Sequence, residues 1–327
     1  MARPAPLPDG TVAAHADWSL DARKRWITVA RREAGGAWRA EAPAPVGDVS
    51  ALLPGLLAHG GPVALGLDLP LGLPRDYARH LAEPNFPAFL RGLAARPDFF
   101  AVSATLETVG RDRPFYPARG LRGMTRAAHA AALGMGGPLG LSRLCDRATA
   151  ERPAGAPLFW TLGANQSGKA AIAAWRDWLL PAFAADLPIS LWPFEGALRD
   201  LLAPGRAALA EVYPAEALRQ CGLRLGGSKR AQAPRRALAG ALRAAMEARR
   251  VVPSPALATA VENGFGPDAA GEDRFDSVVG LLGLVSVLDG TRPDFVPDDP
   301  WVRHWEGWVL GQTALPLRAA ADLRAGG

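Results

Sequence analysis

Val63-Ala64-Leu65-Gly66-Leu67-Asp68-Leu69-Pro70-Leu71-Gly72-Leu73-Pro74 carries an apolar segment into a single carboxylate and then into proline-rich chain. The residues before Asp68 show no polar alternation, which predicts a strand buried on both faces. Upstream, Gly60-Gly61 ends a predicted helix that starts at Asp48, a residue suited to capping it. Val49, Leu52, Leu53, Leu56 and Leu57 give that helix one apolar face, and Pro54 inside it predicts a kink or a late start. Earlier still, Thr11 to Asp17 reads as a strand and Leu20 to Lys24 as a polar turn. Arg25 to Arg31, β-branched and aromatic, reads as a second strand, and Ala37 to Ala42, after Gly35-Gly36, as a weaker third. Three meandering strands, a helix and a strand favour parallel pairing of the fourth strand with the first. Asp17 and Asp68 are then predicted neighbours at the ends of adjacent strands.

Beyond Pro70 the pattern loosens. Pro70 to Pro157 is rich in Pro, Gly and Arg, with amphipathic pieces at Phe86 to Ala95 and Arg126 to Leu133. It reads as a helical or irregular insertion, residues 75–157, within a single domain spanning 1–327. An apolar run at Leu158 to Leu162, a helix from Lys169 to Phe183, and strands at Ile189 to Trp192 and Ala207 to Tyr213 follow. A basic helix from Arg235 to Arg250 and a last helix from Glu272 to Leu288 complete an α/β chain.

With 327 residues, 49% of them hydrophobic, the chain can bury a large core. The longest late apolar run, Val278 to Leu288, is shorter than the roughly 20 residues a membrane span needs. Met1-Ala2-Arg3-Pro4 opens without a signal-peptide core, so a cytoplasmic protein with no membrane association is expected. Cys145 and Cys221 read as reduced thiols, and no Cys/His group has zinc spacing. The formal net charge is +5, carried by arginine: Lys24, Lys169 and Lys229 are the only lysines. Ten Arg or Lys and three Glu lie between Arg206 and Arg250, and Arg111, Arg113, Arg119, Arg122 and Arg126 form a second basic stretch. Such runs suit a polyanion, nucleic acid first; a solvated arginine face is the plainer reading.

The carboxylates carry the chemistry. Several acids gathered together repel one another unless a divalent cation lies between them. Asp17 and Asp68 end apolar strands. Asp273 and Asp276 are three apart on the last helix and share a face. Asp273 is also placed to serve the helix dipole, whereas the row of Asp276 continues through Val279, Gly280 and Gly283 towards the sheet. Glu211 ends the Ala207-Ala208-Leu209-Ala210 run, and Glu195, in the loop after another short strand, is a reserve candidate. Gly163-Ala164-Asn165-Gln166-Ser167-Gly168-Lys169-Ala170 fits seven positions of a phosphate-binding loop. Ala170 stands where Ser or Thr would hold magnesium, so Asn165, Gln166 and Lys169 are phosphate contacts rather than a nucleotide-triphosphate site, or simply a helix start. No Gly-x-Ser-x-Gly elbow supports a serine hydrolase.

His15-Ala16-Asp17-Trp18-Ser19, the Gly66-to-Pro74 run, Asn165 to Ile172, Trp192-Pro193-Phe194-Glu195, Glu211-Val212-Tyr213-Pro214 and Asp273-Arg274-Phe275-Asp276 occur in an order that resembles domain-of-unknown-function family 429, predicted nucleases of the ribonuclease H-like fold. The resemblance spans roughly residues 12 to 290. It implies a mixed five-stranded ribonuclease H-like sheet flanked by helices and a carboxylate cluster. On it, Asp17 matches the first-strand acid and Asp68 the acid ending the fourth strand. Asp276, with Asp273, matches the late-helix acid, and Glu211 the Glu-x-x-Pro element. Asp68 is shorter than the glutamate common in the wider superfamily.

The reaction expected is metal-dependent phosphodiester hydrolysis with two Mg²⁺ or Mn²⁺ ions about 4 Å apart. Asp17 would bridge them, Asp68 and Asp276 would complete the shells, and Glu211 would be an outer ligand or orient water. Lys169 and the arginines of 206–250 would hold phosphates. A nucleic-acid-binding protein with a decayed site, and an enzyme handling ATP or a small phosphate ester, are the alternatives.

Overall fold

Two runs of wholly buried residues, Val12–Asp17 (β1) and Val63–Leu67 (β5), form the centre of the sheet in the computed structural model, which describes residues 6–120, 123–162 and 167–317. Trp26–Arg32 (β2), Trp38–Ala40 (β3) and Ala44–Pro45 (β4) lie between them in sequence. Ile189–Leu191 (β6), Ala207–Glu211 (β7) and Val251–Pro253 (β8) follow. The order across the sheet is β6-β7-β5-β1-β2-β3-β8, with β4 paired beside β2.

The predicted crossover is present. β1 and β2 are antiparallel, β1 and β5 parallel, and the Val49–Leu57 helix stands between β3/β4 and β5 in the chain. Asp48 caps that helix, its Oδ1 accepting from the Ser50 N–H at 2.9 Å, and Pro54 sits within it without ending it. The sheet is mixed and has eight strands rather than five. β3 gains a parallel partner in β8, and β7 gains one in β6. β6 is the strand expected at Ile189 to Trp192, whereas β4 and β8, of two and three residues, are too short for periodicity to reveal.

The Ala270–Leu288 helix packs on β1, β2 and β5 and against the Pro214–Gln220 helix. Two close approaches fix its depth. Thr28 and Ser277 hydroxyls are hydrogen-bonded at 2.8 Å, and a Cβ on Gly280 would lie 2.2 Å from the His15 ring. Only glycine allows that approach. The predicted basic helix from 235 to 250 is two helices, Gln232–Ala237 and Ala239–Ala248, broken at Leu238.

The chain divides into two compact units. The first, Met1–Asp68, Asp186–Phe295 and Val309–Gln312, contains the whole sheet. The second, Leu69–Ala185, Val296–Trp308 and Thr313–Gly327, contains all of the expected insertion 75–157 and extends well beyond it. Its core is aromatic: Phe89, Phe100, Phe115, Phe159 and Trp175 all surround Phe99, with ring centroids 5.4 to 6.5 Å away. Arg143, fully buried, pairs with Asp146 at 2.9 Å and donates to the carbonyls of Leu71 and Glu306. Gly72, at φ +137°, lets its backbone lie against Glu306, where a Cβ would come within 2.1 Å of the carbonyl oxygen. The Gly-Leu-Pro run after Asp68 is thus a packing element of the second unit.

Candidate functional site

Register decides which acids meet. His15 pairs with Gly66 and Ala16 with Leu67, and the Asp68 N–H donates to the Ala16 carbonyl at 3.1 Å. Asp17 and Asp68 therefore occupy adjacent positions one residue further on. Parallel partners point to the same face, and for these two it is the face covered by the Ala270–Leu288 helix. His15 touches Gly280 of that helix, and Trp26, the register partner of Asp17, lies under the Arg274 guanidinium at 4.6 Å. Asp276 comes down from the same helix, one residue before Ser277. Asp17, Asp68 and Asp276 are thus brought together as the sequence predicts, and Asp273 stands half-buried one turn earlier.

The electrostatics show how close they are. Burial pushes Asp17 well above the ordinary carboxyl range, and the charges of Asp68, Asp276 and Asp273 add to the rise while Lys229 opposes it. Burial and then Asp276 push Asp68 up to about 7 against the pull of Lys229. Hydrogen bonding with Asp17 works in the opposite sense and lowers Asp68. Asp276 is pushed up to about 6, by burial first, with Lys229 holding it down and Glu272 and Asp273 adding to the rise. Burial and Glu272 also raise Asp273, against Lys24, Lys229 and Arg274. Among the described residues, no three of Asp17, Asp68, Asp276, Asp273 and Glu211 bring one oxygen each within 4.8 Å of one another. The acids are gathered but not closed into a shell.

Glu211 departs from the expected convergence. Its register partner is Leu67, not Asp68, so alternation turns it to the opposite face of the sheet from Asp17 and Asp68. Its charge still raises Asp68 from one strand away. The side chain is fully buried, and its carbonyl accepts from the Leu310 N–H at 2.9 Å. Glu195 serves its own strand end, its Oε2 accepting from the Leu191 N–H at 2.6 Å to close β6. Lys169 sits half-buried on the Ser167–Ala174 helix of the second unit, and Asn165 and Gln166 lie outside the described residues.

One group at the site was not singled out by the sequence. Lys229, in the loop after the Pro214–Gln220 helix, donates to Asp276 Oδ2 and stands 3.3 Å from Glu272 Oε1. Burial works against its charge, but Asp276, Asp68 and Glu272 together raise its pKa. Its rarity, one of three lysines in an arginine-rich chain, was the available signal.

His15 is a structural neighbour of the cluster. Its Nε2–H donates to the Val212 carbonyl at 3.1 Å, and complete burial drives its pKa down to about 4, so the ring is neutral. The basic run of 206–250 is largely committed to the fold. Arg219 pairs with Glu216, Arg243 with Glu262 and Arg230 with Glu272, while Arg235 is buried among carbonyls. Arg224 and Arg236 remain exposed. No helix among the described residues is long and apolar enough to cross a membrane.

No protein-family model, no curated protein and no solved structure matches the chain.

Proposed function

We propose that this chain is a metal-dependent phosphodiesterase of the ribonuclease H-like fold that acts on nucleic acid. One observation carries the reading: Asp17 and Asp68 stand side by side on parallel central strands, and Asp276 reaches the same face from the overlying helix. The inner path β3-β2-β1-β5-β7, an antiparallel meander followed by parallel strands, supports the fold assignment.

The donors fit a hard divalent ion. All are carboxylate oxygens, and three of the acids have raised proton affinities because burial and mutual repulsion outweigh the one lysine. That chemistry suits Mg²⁺ or Mn²⁺. Asp17, Asp68 and Asp276 would hold the ion, with Asp273 at the rim. When bound, such an ion supplies Lewis acidity to a phosphoryl oxygen and makes water more acidic. The chain's own residues do the rest. Asp17, whose proton affinity is raised by burial and by its acidic neighbours, would hold a proton when no metal is bound. His15, neutral and wedged on Gly280, fixes the depth of β1 beneath the Asp276 helix. Arg224 and Arg236 are available to hold flanking phosphates.

Calorimetry with Mn²⁺ and a cleavage assay on single- and double-stranded DNA and RNA test this. Wild type should bind Mn²⁺ with proton release and cleave at least one substrate. Asp17→Asn should lose both while keeping its far-ultraviolet circular dichroism. Full metal-dependent cleavage by Asp17→Asn would sink the proposal. The Lys229–Asp276 pair favours one second reading, a nucleic-acid-binding protein whose acids are neutralised internally; it predicts no Mn²⁺ heat in wild type.

A further inference from the structure

The ammonium of Lys229 lies on Asp276, the acid that the helix contributes to the cluster, and its charge also acts on Asp17 and Asp68. No other lysine or arginine among the described residues makes an ion pair with any of these three acids. Lys229 is held there from behind. Arg235, itself buried, donates from Nη1 to the Lys229 carbonyl, from Nε to the Gly264 carbonyl at 2.9 Å and from Nη2 to the Gly266 carbonyl at 2.6 Å. Gly271 makes room for that guanidinium, since a Cβ there would fall 2.2 Å from Arg235 Nη2. The Lys229 backbone is therefore fixed while its side chain, 41% exposed, has a path to solvent.

We propose that Lys229 is the resident counter-ion of the cluster, and that its ammonium must swing off Asp276 before a divalent cation is bound there. The proposal rests on the metal-binding reading above. The Lys229 ammonium holds Asp276 Oδ2, and its positive charge opposes a second cation brought to the same carboxylate. With the backbone anchored by Arg235, the exchange is a rotation of one side chain. The site is thereby kept from collapsing through self-repulsion when no metal is present, and metal uptake exposes a lysine.

The three lysines of the chain allow a direct test on the unmodified protein. Lysine acetylation by an N-hydroxysuccinimide ester, read by peptide mass spectrometry, is compared in EDTA and in saturating Mn²⁺. Lys229 should become several-fold more reactive with Mn²⁺, while Lys169, in the second unit, stays unchanged as the internal control. In parallel calorimetry, Lys229→Met should bind Mn²⁺ about tenfold more tightly, because one competing unit charge has been removed. Mn²⁺ heat in wild type with unchanged Lys229 reactivity would overturn the counter-ion proposal and leave the metal reading standing. No Mn²⁺ heat in either wild type or Lys229→Met would overturn both. Heat in Lys229→Met alone would show that the ammonium does not leave Asp276 in wild type, and would overturn the exchange in favour of acids neutralised internally. The labelling arm needs no variant and stands even if Lys229→Met folds poorly.

Discussion

Asp68→Asn should stabilise the metal-free protein at alkaline pH while removing its affinity for metal. The folded chain raises this carboxyl from an ordinary 3.8 to about 7, through burial and the charge of Asp276. Below pH 3.8 both folded and unfolded chains hold the proton, and the group has no effect on stability. Between 3.8 and about 7 the unfolded chain has released it and the folded chain has not. The folded state then binds more protons, so stability falls as pH rises through that window and levels off above it. At pH 8 the accumulated loss is on the order of 4 kcal/mol. Partial exposure and the lost attraction to Lys229 reduce the recoverable share to about 2 kcal/mol. For a unit of this size that is about 4–8 °C in Tm. The assay is a thermal melt of wild type and variant in EDTA at pH 4 and pH 8, followed by circular dichroism. The curves should coincide at pH 4 and separate at pH 8 with the variant above. Adding Mn²⁺ at pH 8 should reverse the order, since only wild type gains from binding. A variant equal to or below wild type at pH 8 in EDTA would refute the reasoning, because the acids would then not be under electrostatic load.

Glu211→Gln should weaken Mn²⁺ binding far less than Asp17→Asn, because register turns Glu211 to the other face; equal losses by calorimetry would show that the two acids share a shell after all. Gly280→Ala should destabilise the protein by about 1–3 kcal/mol, because the new methyl meets the buried His15 ring. His15→Ala in the same chain should recover part of that loss in urea melts, and strict additivity of the two changes would contradict the contact.

Much of the central sheet could be read from residues 11 to 68. Glycine pairs, the Asp48 cap and the change from β-branched residues to a spaced leucine row marked each boundary. The pairing of β1 with β5 followed from the crossover rule, and with it the adjacency of Asp17 and Asp68. The approach of Asp276 was legible because Gly280 and Gly283 lie in its helical row. The face of Glu211 was not. Ala207-Ala208-Leu209-Ala210 is apolar on both sides, so no alternation gives the strand a phase, and only the register to β5 resolves it. Lys229 was hidden for a different reason: its loop has no periodicity, and it lies 47 residues from the acid it pairs with. The basic run misled in part, since composition counts arginines without showing that Arg235 faces carbonyls and Arg243 faces Glu262. The second unit drew in residues 296–308 because Arg75 and Arg143 find their partners there, a long-range pairing that local patterns do not encode.

The two outermost strands of the sheet, β6 and β8, have three residues each. β8 ends on Pro253, and β6 runs into Trp192-Pro193. A proline offers no N–H to a further strand, and three residues give an incoming chain little ladder to hold. The rims of the sheet therefore resist templated growth, so raising the concentration of this protein should not drive it into β-stacked aggregates from the folded state. The acid-bearing strands β1 and β5 lie inside those rims, each with a neighbour on both sides. Their polar ends can carry repelling charges without leaving a sticky margin open to another molecule.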